Sequence, residues 1–135
     1  MTAGYSGTPL VRKLGIKPGS RIHTIGAPRD YWELIGELPP EARPAKRGER
    51  ELEIVHFFAM TADAAVAAFE AGLERIAPNG MIWASWPKKS SGVSSELDGN
   101  RVRQLGLERG LVDIKVCAVD ETWSGLKFVI PVADR

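Results

Sequence analysis

The feature of this chain that most restricts its fold is a nearly continuous apolar run, LEIVHFFA, from Leu52 to Ala59. The run has the length of a strand, and continuous apolar character is typical of a strand that is covered on both faces. Such strands lie inside parallel sheets, because the connections between parallel strands place helices over the sheet. The run therefore predicts a parallel sheet with helices on its faces.

Strand and helix patterns alternate along the rest of the chain. The β-branched residues of Arg21 to Gly26 predict a first strand. Thr61 and Asp63 begin a helix in which apolar residues recur at intervals of three and four, and the turn Pro78-Asn79-Gly80 ends it. The other expected elements are a strand at Met81 to Trp86, a helix near Gly99 to Arg109 with Asp98 as its N-cap, and a hairpin of the strands Val112 to Val119 and Leu126 to Val132.

Two brief helices and one irregular stretch complete the pattern. Thr8 as N-cap and Gly15 as a C-cap with left-handed backbone predict a short helix of about six residues between them. Asp30 is expected to cap a second short helix over Tyr31 to Gly36. The segment from Glu37 to Arg50 contains three prolines and alternating charges, and it predicts an exposed loop without regular structure.

These patterns indicate the fold class. With 135 residues, the chain fits one domain that spans residues 1–135. We expect a Rossmann-like α/β three-layer sandwich, with a mainly parallel sheet of about five strands and a C-terminal antiparallel hairpin. Hydrophobic residues make up 44% and charged residues 26%, values close to the globular average that argue against a disordered chain.

Charge and cysteine content restrict partners and compartment. The chain has 18 basic and 17 acidic residues, and a net charge of +1 gives no general attraction to nucleic acid or membrane. No apolar run approaches the ~20 residues that span a bilayer, so a cytoplasmic location is expected. The single cysteine, Cys117, excludes an internal disulfide. A homodimer is an open expectation, formed by pairing along the first or the last strand if that strand is an exposed edge.

Two segments, LGIKPGSRIHTIG and LERIAPNGMIWASW, resemble the scaffold of class I S-adenosylmethionine-dependent methyltransferases. In that family an acidic residue on the first strand precedes a glycine-rich turn whose backbone approaches the cofactor. Here Thr24 stands at the acidic position, and the turn reads Gly26-Ala27-Pro28-Arg29-Asp30. Pro28 removes a backbone donor and conformational freedom. The resemblance therefore implies a trimmed methyltransferase-like domain without the cofactor site, and no cofactor is expected.

A second resemblance covers almost the whole chain. The segments GYSGTPL from Gly4, SWPKKSSG from Ser85 and VCAVDETWSGLKFVI from Val116 are similar to those of a bacterial family of unknown function, domain of unknown function family 3052. This resemblance implies no activity and no catalytic residue. The Gly4 to Thr8 stretch is either a lid over the functional edge of the sheet or an ordered terminus.

Polar and aromatic residues follow several of the predicted strands. Ligands of an open parallel sheet bind outside the carboxyl ends of its strands, where loops and helix N-termini meet. The hairpin connector DETWSG would lie at the same end of the sheet if the strand before it, Val112 to Val119, is parallel to the other strands. The candidate ligand-binding residues are Arg29, Tyr31, Trp86, Lys88, Lys89, Ser90, Ser91, Asp120, Glu121, Thr122 and Trp123.

The candidate residues allow different interpretations. Lys88, Lys89 and the two serines that follow are typical of an anion-binding loop, but they also suit a solvated surface loop, and no GxxxxGK[ST] pattern is present. Asp120 and Glu121 could instead form ion pairs with the lysines that only hold two loops together. Trp86 and Trp123 are equally consistent with ligand contacts and with packing.

No pattern identifies a catalytic or metal site. HExxH, CxxC and GxSxG motifs are absent from the sequence. His23 and His56 lie inside predicted strands and favour hydrogen-bonded core positions, and Cys117 lies within a strand and favours packing. We therefore expect no metal, and the catalytic residues, if any exist, stay unidentified.

Three functions remain open on the sequence. The first is a non-catalytic domain that binds a small anionic or aromatic ligand, or a peptide, at the carboxyl ends of the strands. The second is an enzyme acting on a phosphorylated or acyl substrate, with Lys88 or Lys89 stabilising charge and Asp120 or Glu121 accepting a proton. The third is a residual methyltransferase. Whether the chain is an enzyme is not decided by these patterns.

Overall fold

A computed structural model of the protein describes residues 8–135, so the Gly4 to Gly7 part of the predicted lid lies outside the described residues. The helices are α1 (Leu10–Lys13), α2 (Tyr31–Ile35), α3 (Ala62–Leu73) and α4 (Gly99–Glu108). The strands are β1 (Arg21–Ile25), β2 (Arg43–Pro44), β3 (Leu52–Phe58), β4 (Ile76–Pro87), β5 (Val112–Ala118) and β6 (Trp123–Val129). Single 3-10 turns occur at Lys89–Ser91 and Val132–Asp134.

These strands form one sheet in the order β2-β1-β3-β4-β6-β5. The first four strands in this order are parallel, and β6 lies antiparallel between β4 and β5. The predicted α/β class, the mainly parallel sheet and the C-terminal hairpin are therefore confirmed. Because β5 runs in the same direction as β4, the loop after β5 lies at the same edge of the sheet as the loops after β1, β3 and β4.

The buried side chains form two layers, one on each face of the sheet. On one face, α3 and α4 cover a cluster in which Phe69 lies edge-to-face with Phe57 and Phe128, at ring-centre distances of 4.9 and 5.0 Å. On the other face, α1 and α2 cover a cluster around Trp83, whose indole N–H donates to the carbonyl of Leu14 at 3.0 Å. The three-layer sandwich thus has a separate apolar core on each side of the sheet.

Some predicted boundaries were wrong. Thr8 does not cap α1, because the helix begins at Leu10 after Pro9 and no side chain caps it. The turn Pro78-Asn79-Gly80 does not end a helix, because α3 already ends at Leu73 and β4 begins at Ile76. The three turn-forming residues lie within β4, beside an irregularity in its pairing with β3. There Gly80 approaches the carbonyl of Leu52 so closely that an added Cβ would lie 2.6 Å from the oxygen.

The sequence predicted that the segment from Glu37 to Arg50 has no regular structure, and this prediction was partly wrong. Arg43 and Pro44 pair with β1 as a short parallel strand, which raises the strand count from about five to six. The carboxylate of Glu49 supports this strand, since it accepts from the Arg43 guanidinium at 2.7 Å and from the Lys46 backbone N–H at 2.7 Å. These contacts hold the pKa of Glu49 well below its usual range.

The outer strands of the sheet are β2 and β5, not the first and last strands of the chain. On β5, Ile114 and Val116 lie in solvent, with 55% and 68% of their surfaces exposed. A bulge between Asp113 and Lys115 interrupts the pairing of β5 with β6. Bulges and lysines on an outer strand oppose pairing with another chain.

Replacing Gly106 with alanine should destabilise the fold. Gly106 lies in α4 against the ring of Phe128, and an added Cβ would overlap that ring. The overlap should lower the free energy of unfolding by about 1–3 kcal/mol. Gly99→Ala in the same helix is the control, because its Cβ would lie 3.4 Å from Trp86 at ordinary contact distance. Urea denaturation should show a loss for Gly106→Ala only, and equal stabilities would contradict this packing.

Candidate functional site

The loops at the carboxyl ends of the strands meet at one edge, which we call the carboxyl edge: residues 26–30, 59–61, 88–91 and 119–122. The Lys88 backbone N–H donates to the carbonyl of Thr122 at 2.8 Å and joins the loops that follow β4 and β5. The ring of Trp123 lies 5.1 Å from that of Phe58, at the end of β3. An added Cβ at Gly26 would lie 2.7 Å from the Phe58 carbonyl oxygen, so the loop after β1 is close as well.

Most of the candidate residues reach solvent at this edge, and two do not. Tyr31 is 1% exposed, because it packs beneath α2 against the sheet. Trp86 is 8% exposed, because its side chain points to the α4 face and lies against Gly99. The sequence placed both at the edge from their position in the chain, but their side chains point into the two cores. The candidates that are exposed or half-buried are Arg29, Lys88, Lys89, Ser90, Ser91, Asp120, Glu121, Thr122 and Trp123.

The lysine-serine loop after β4 forms a single 3-10 turn. The hydroxyl of Ser91 donates to the Lys88 carbonyl at 2.6 Å and accepts from the Val93 N–H at 3.1 Å, so it stabilises the turn itself. Lys89 and Ser90 are exposed, and within residues 8–135 neither side chain forms a hydrogen bond or an ion pair. Their side chains therefore point to solvent from an ordered turn.

Asp120 organises the loop between β5 and β6. Its Oδ1 accepts from the backbone N–H groups of Thr122 and Trp123, both at 2.8 Å. Within the described part of the chain, neither Asp120 nor Glu121 forms an ion pair with Lys88 or Lys89. The two loops are held together by the backbone bond from Lys88 to Thr122 and not by the ion pairs considered from the sequence.

The turn after β1 does not fit a methyltransferase-type cofactor. Gly26 has a positive φ of 69° and packs against the Phe58 carbonyl, so the chain itself occupies the space beside this turn. Pro28 has no N–H to offer, and its carbonyl accepts from the N–H of Tyr31 at 3.1 Å. The turn therefore differs from a glycine-rich cofactor turn in the donor that is missing at Pro28 and in the close approach of Gly26 to the Phe58 carbonyl.

A buried polar trio lies below the carboxyl edge. The hydroxyl of Tyr31 is 2.9 Å from Nδ1 of His56, and the hydroxyl of Ser85 is 2.8 Å from Nε2 of the same ring. His56 is fully buried, and burial lowers its pKa to about 3. Burial also raises the pKa of Tyr31. The ring of His56 is therefore neutral at pH 7 and satisfied on both nitrogens, which confirms the prediction of a hydrogen-bonded core histidine.

The trio was only partly visible in the sequence. His56 interrupts the apolar run of β3, and a polar residue in a covered strand indicates that a buried partner exists. The spacing of residues along the chain did not identify the partners of His56, because Tyr31 lies in α2 and Ser85 lies in β4. All three are at most 1% exposed, so the trio is a structural element out of reach of a dissolved substrate.

Cys117 and His23 do not form a reactive pair or a metal centre. Cys117 is half-buried in β5, where burial raises the pKa of its thiol. His23 lies in β1, four strands away from β5 in the sheet. Across residues 8–135, no group of three or more histidine, cysteine or acidic side chains is placed to hold a metal ion. In the same part of the chain, every helix is too short or too polar to cross a bilayer.

No protein-family model and no curated protein sequence matches the chain, so the resemblance to family 3052 stays a prediction. Solved structures of methyltransferases do match. A SAM-dependent methyltransferase from Aquifex aeolicus aligns over 90% of this chain and 88% of its own, with 11% identity and a TM-score of 0.58. A TehB-like SAM-dependent methyltransferase from Corynebacterium glutamicum aligns over 90% and 85%, with 11% identity and a TM-score of 0.59.

A third match is the 1,6-didemethyltoxoflavin-N1-methyltransferase of Burkholderia thailandensis, solved with bound S-adenosylhomocysteine. It aligns over 88% of this chain and 73% of its own, with 13% identity and a TM-score of 0.59. At such identities the likeness shows the fold alone. The scaffold of this chain is therefore methyltransferase-like, as the sequence resemblance implied.

His56 should make the fold sensitive to acid. Its pKa is lower in the folded chain than in the unfolded chain, so the unfolded chain binds the extra proton between about pH 6.5 and pH 3. The stability that depends on the neutral ring is complete above about pH 6.5 and is lost as the pH falls, by at most ~1.4 kcal/mol for each pH unit. Urea denaturation of the wild type and of His56→Gln at pH 7, 6 and 5 measures this.

Acidification should destabilise His56→Gln less than the wild type. It should destabilise His23→Gln nearly as much as the wild type. Equal pH dependence in the wild type and His56→Gln would contradict the buried neutral ring. If His56→Gln does not fold, the ¹⁵N chemical shifts of the wild-type imidazole at pH 5 give the same answer, because a ring that is protonated there overturns the assignment.

Proposed function

We propose that this protein is a non-catalytic binding domain that holds a small anionic or aromatic ligand at the carboxyl edge of a methyltransferase-like scaffold. The observation that carries the proposal is the junction of the loops after β4 and β5. The bond from Lys88 to Thr122 brings Lys88, Lys89 and Ser90 next to loop 119–122, which leads into Trp123 at the start of β6.

The exposed groups at this junction suit such a ligand. Lys89 is a cation without an acidic partner in the described residues, and it can attract a phosphate or carboxylate. The ring of Trp123 is half-buried, with Phe58 supporting it edge-to-face. A ring held in this way can stack on a flat ligand with little loss of side-chain freedom.

Two arrangements favour binding over catalysis. The polar groups that could exchange protons, Tyr31, His56 and Ser85, are buried and bonded to one another. The carboxylate of Asp120 bonds to the backbone of its own turn. Of the carboxylates at the junction, only that of Glu121 is exposed, and no histidine or hydroxyl is bonded to it within residues 8–135.

A residual methyltransferase is the second candidate, because the solved structures that match include SAM-dependent methyltransferases. The packed turn at Gly26 and Pro28 opposes this function. Calorimetry with S-adenosylmethionine separates the two candidates. We expect no heat of binding, and saturable binding that Pro28→Gly strengthens would replace the proposal with the methyltransferase.

Ligand binding is tested with three related probes: adenosine 5′-monophosphate, which carries both a ring and a phosphate, adenosine, which carries the ring alone, and inorganic phosphate. We expect the monophosphate to bind most tightly and to quench tryptophan fluorescence. Trp123→Leu should weaken binding of both ring-bearing probes by about fivefold or more, since one stacked ring contributes roughly 1–3 kcal/mol. Lys89→Met should weaken the two phosphate-bearing probes only.

The matched control is Lys46→Met, which removes an exposed lysine beside β2, at the far side of the sheet. It should bind all three probes like the wild type. Absence of any saturable change in fluorescence or melting temperature with the three probes would overturn the proposed site. Equal weakening by Lys46→Met and Lys89→Met would reduce the effect to general electrostatics.

A further inference from the structure

A separate cavity of about 490 Å³ lies between α1 and the outer strand β5, beside the carboxyl edge. Arg12 and Lys13 line it from the helix, and residues 115–118 line it from the strand. Its volume is within the range of small-molecule sites, which is roughly 300–1,000 Å³. None of its lining residues is acidic.

Hydrogen bonds tie the lysines to the walls of this cavity. Lys13 Nζ donates to the carbonyl of Ala118 at 3.4 Å, which ties α1 to the end of β5. Lys115 Nζ donates to the carbonyl of Lys13 at 3.5 Å, which ties β5 back to α1. Arg12 is exposed, and within residues 8–135 its guanidinium forms no ion pair.

Further positive charge surrounds the cavity. Lys127 is the register partner of Lys115 across β5 and β6. Burial lowers the pKa of Lys127, and the charges of Lys115 and Lys17 lower it further. The charges of Lys17, Lys115 and Lys127 thus repel one another. A bound anion would relieve that repulsion.

We propose that the cavity between α1 and β5 binds the phosphate group of a small phosphate monoester, with Arg12 and Lys115 as its cationic ligands. A phosphate monoester carries about two negative charges at pH 7, and several converging cations match it better than they match a single carboxylate. Arg12 can bind two of its oxygens at once.

Cys117 provides a direct readout, because it lines the cavity and is the only cysteine of the chain. The experiment follows its alkylation by iodoacetamide in the full-length protein. Inorganic phosphate and phenyl phosphate are the probes, and sodium chloride at the same ionic strength is the reference. We expect each phosphate probe to slow alkylation at least threefold at saturation, and chloride to leave the rate unchanged.

Arg12→Met tests the assignment of the ligands. Arg12 is exposed on α1 and methionine is a good helix former, so the variant should fold. Losing a charge-assisted pair should raise the phosphate concentration needed for half-protection by about tenfold or more. Arg47→Met is the matched control, since Arg47 is an exposed arginine near β2 at the opposite side of the sheet, and it should behave like the wild type.

The outcome is separable from that of the carboxyl-edge site. Lys89→Met weakens phosphate binding at the carboxyl edge and should leave the protection of Cys117 intact, whereas Arg12→Met should leave the quenching of Trp123 by adenosine 5′-monophosphate intact. Equal protection by chloride and phosphate, or unchanged half-protection in Arg12→Met, would overturn the cavity as a phosphate site. Loss of protection in Lys89→Met and not in Arg12→Met would also overturn it.

Discussion

The burial of β3 and β4 on both faces is the constraint on which the rest of this structure depends. Six of the seven residues of β3 are buried, and so are residues 82–87 of β4, which leaves neither strand a face for water. Helices must therefore cover both sides, and the crossover connections that place them there keep the strands parallel. Parallel strands end at one edge, and this is why loops distant in sequence meet at the carboxyl edge.

The same burial decides where polar chemistry can occur. Inside the sheet, His56 is tolerated because Tyr31 and Ser85 satisfy both of its nitrogens. An unsatisfied ring there would cost roughly 1–3 kcal/mol. Side chains that remain available for ligands are consequently found in the loops and on the outer strand β5. Lys89 at the carboxyl edge and Arg12 and Lys115 at the α1–β5 cavity remain available, and none of the three forms an ion pair within residues 8–135.

The turn after β1 has little influence on the methyltransferase-like scaffold. The order and direction of the strands depend on the two apolar cores, to which the turn after β1 contributes only the partly buried side chain of Ala27. The conformation of that turn can therefore vary without changing the fold. In this chain it is set by Pro28 and by the close approach of Gly26 to the Phe58 carbonyl. A fold of this kind can host many functions, because a binding site is built from loops that the cores do not constrain.

Local periodicity and capping chemistry are recorded in the sequence itself. The sequence alone therefore determined the class of the fold, the buried strand β3, the C-terminal hairpin, and the caps of α3 and α4 by Thr61 and Asp98. It also placed the loops of the carboxyl edge together, since a parallel sheet requires it. Tertiary structure decided the rest. Whether Tyr31 and Trp86 point to solvent or to a core depends on which helix covers them. Arg43 and Pro44 form β2 because β3 pairs with only one edge of β1 and leaves its other edge open for hydrogen bonds. The basic cavity joins residue 12 to residue 115 through packing, which no spacing along the chain records.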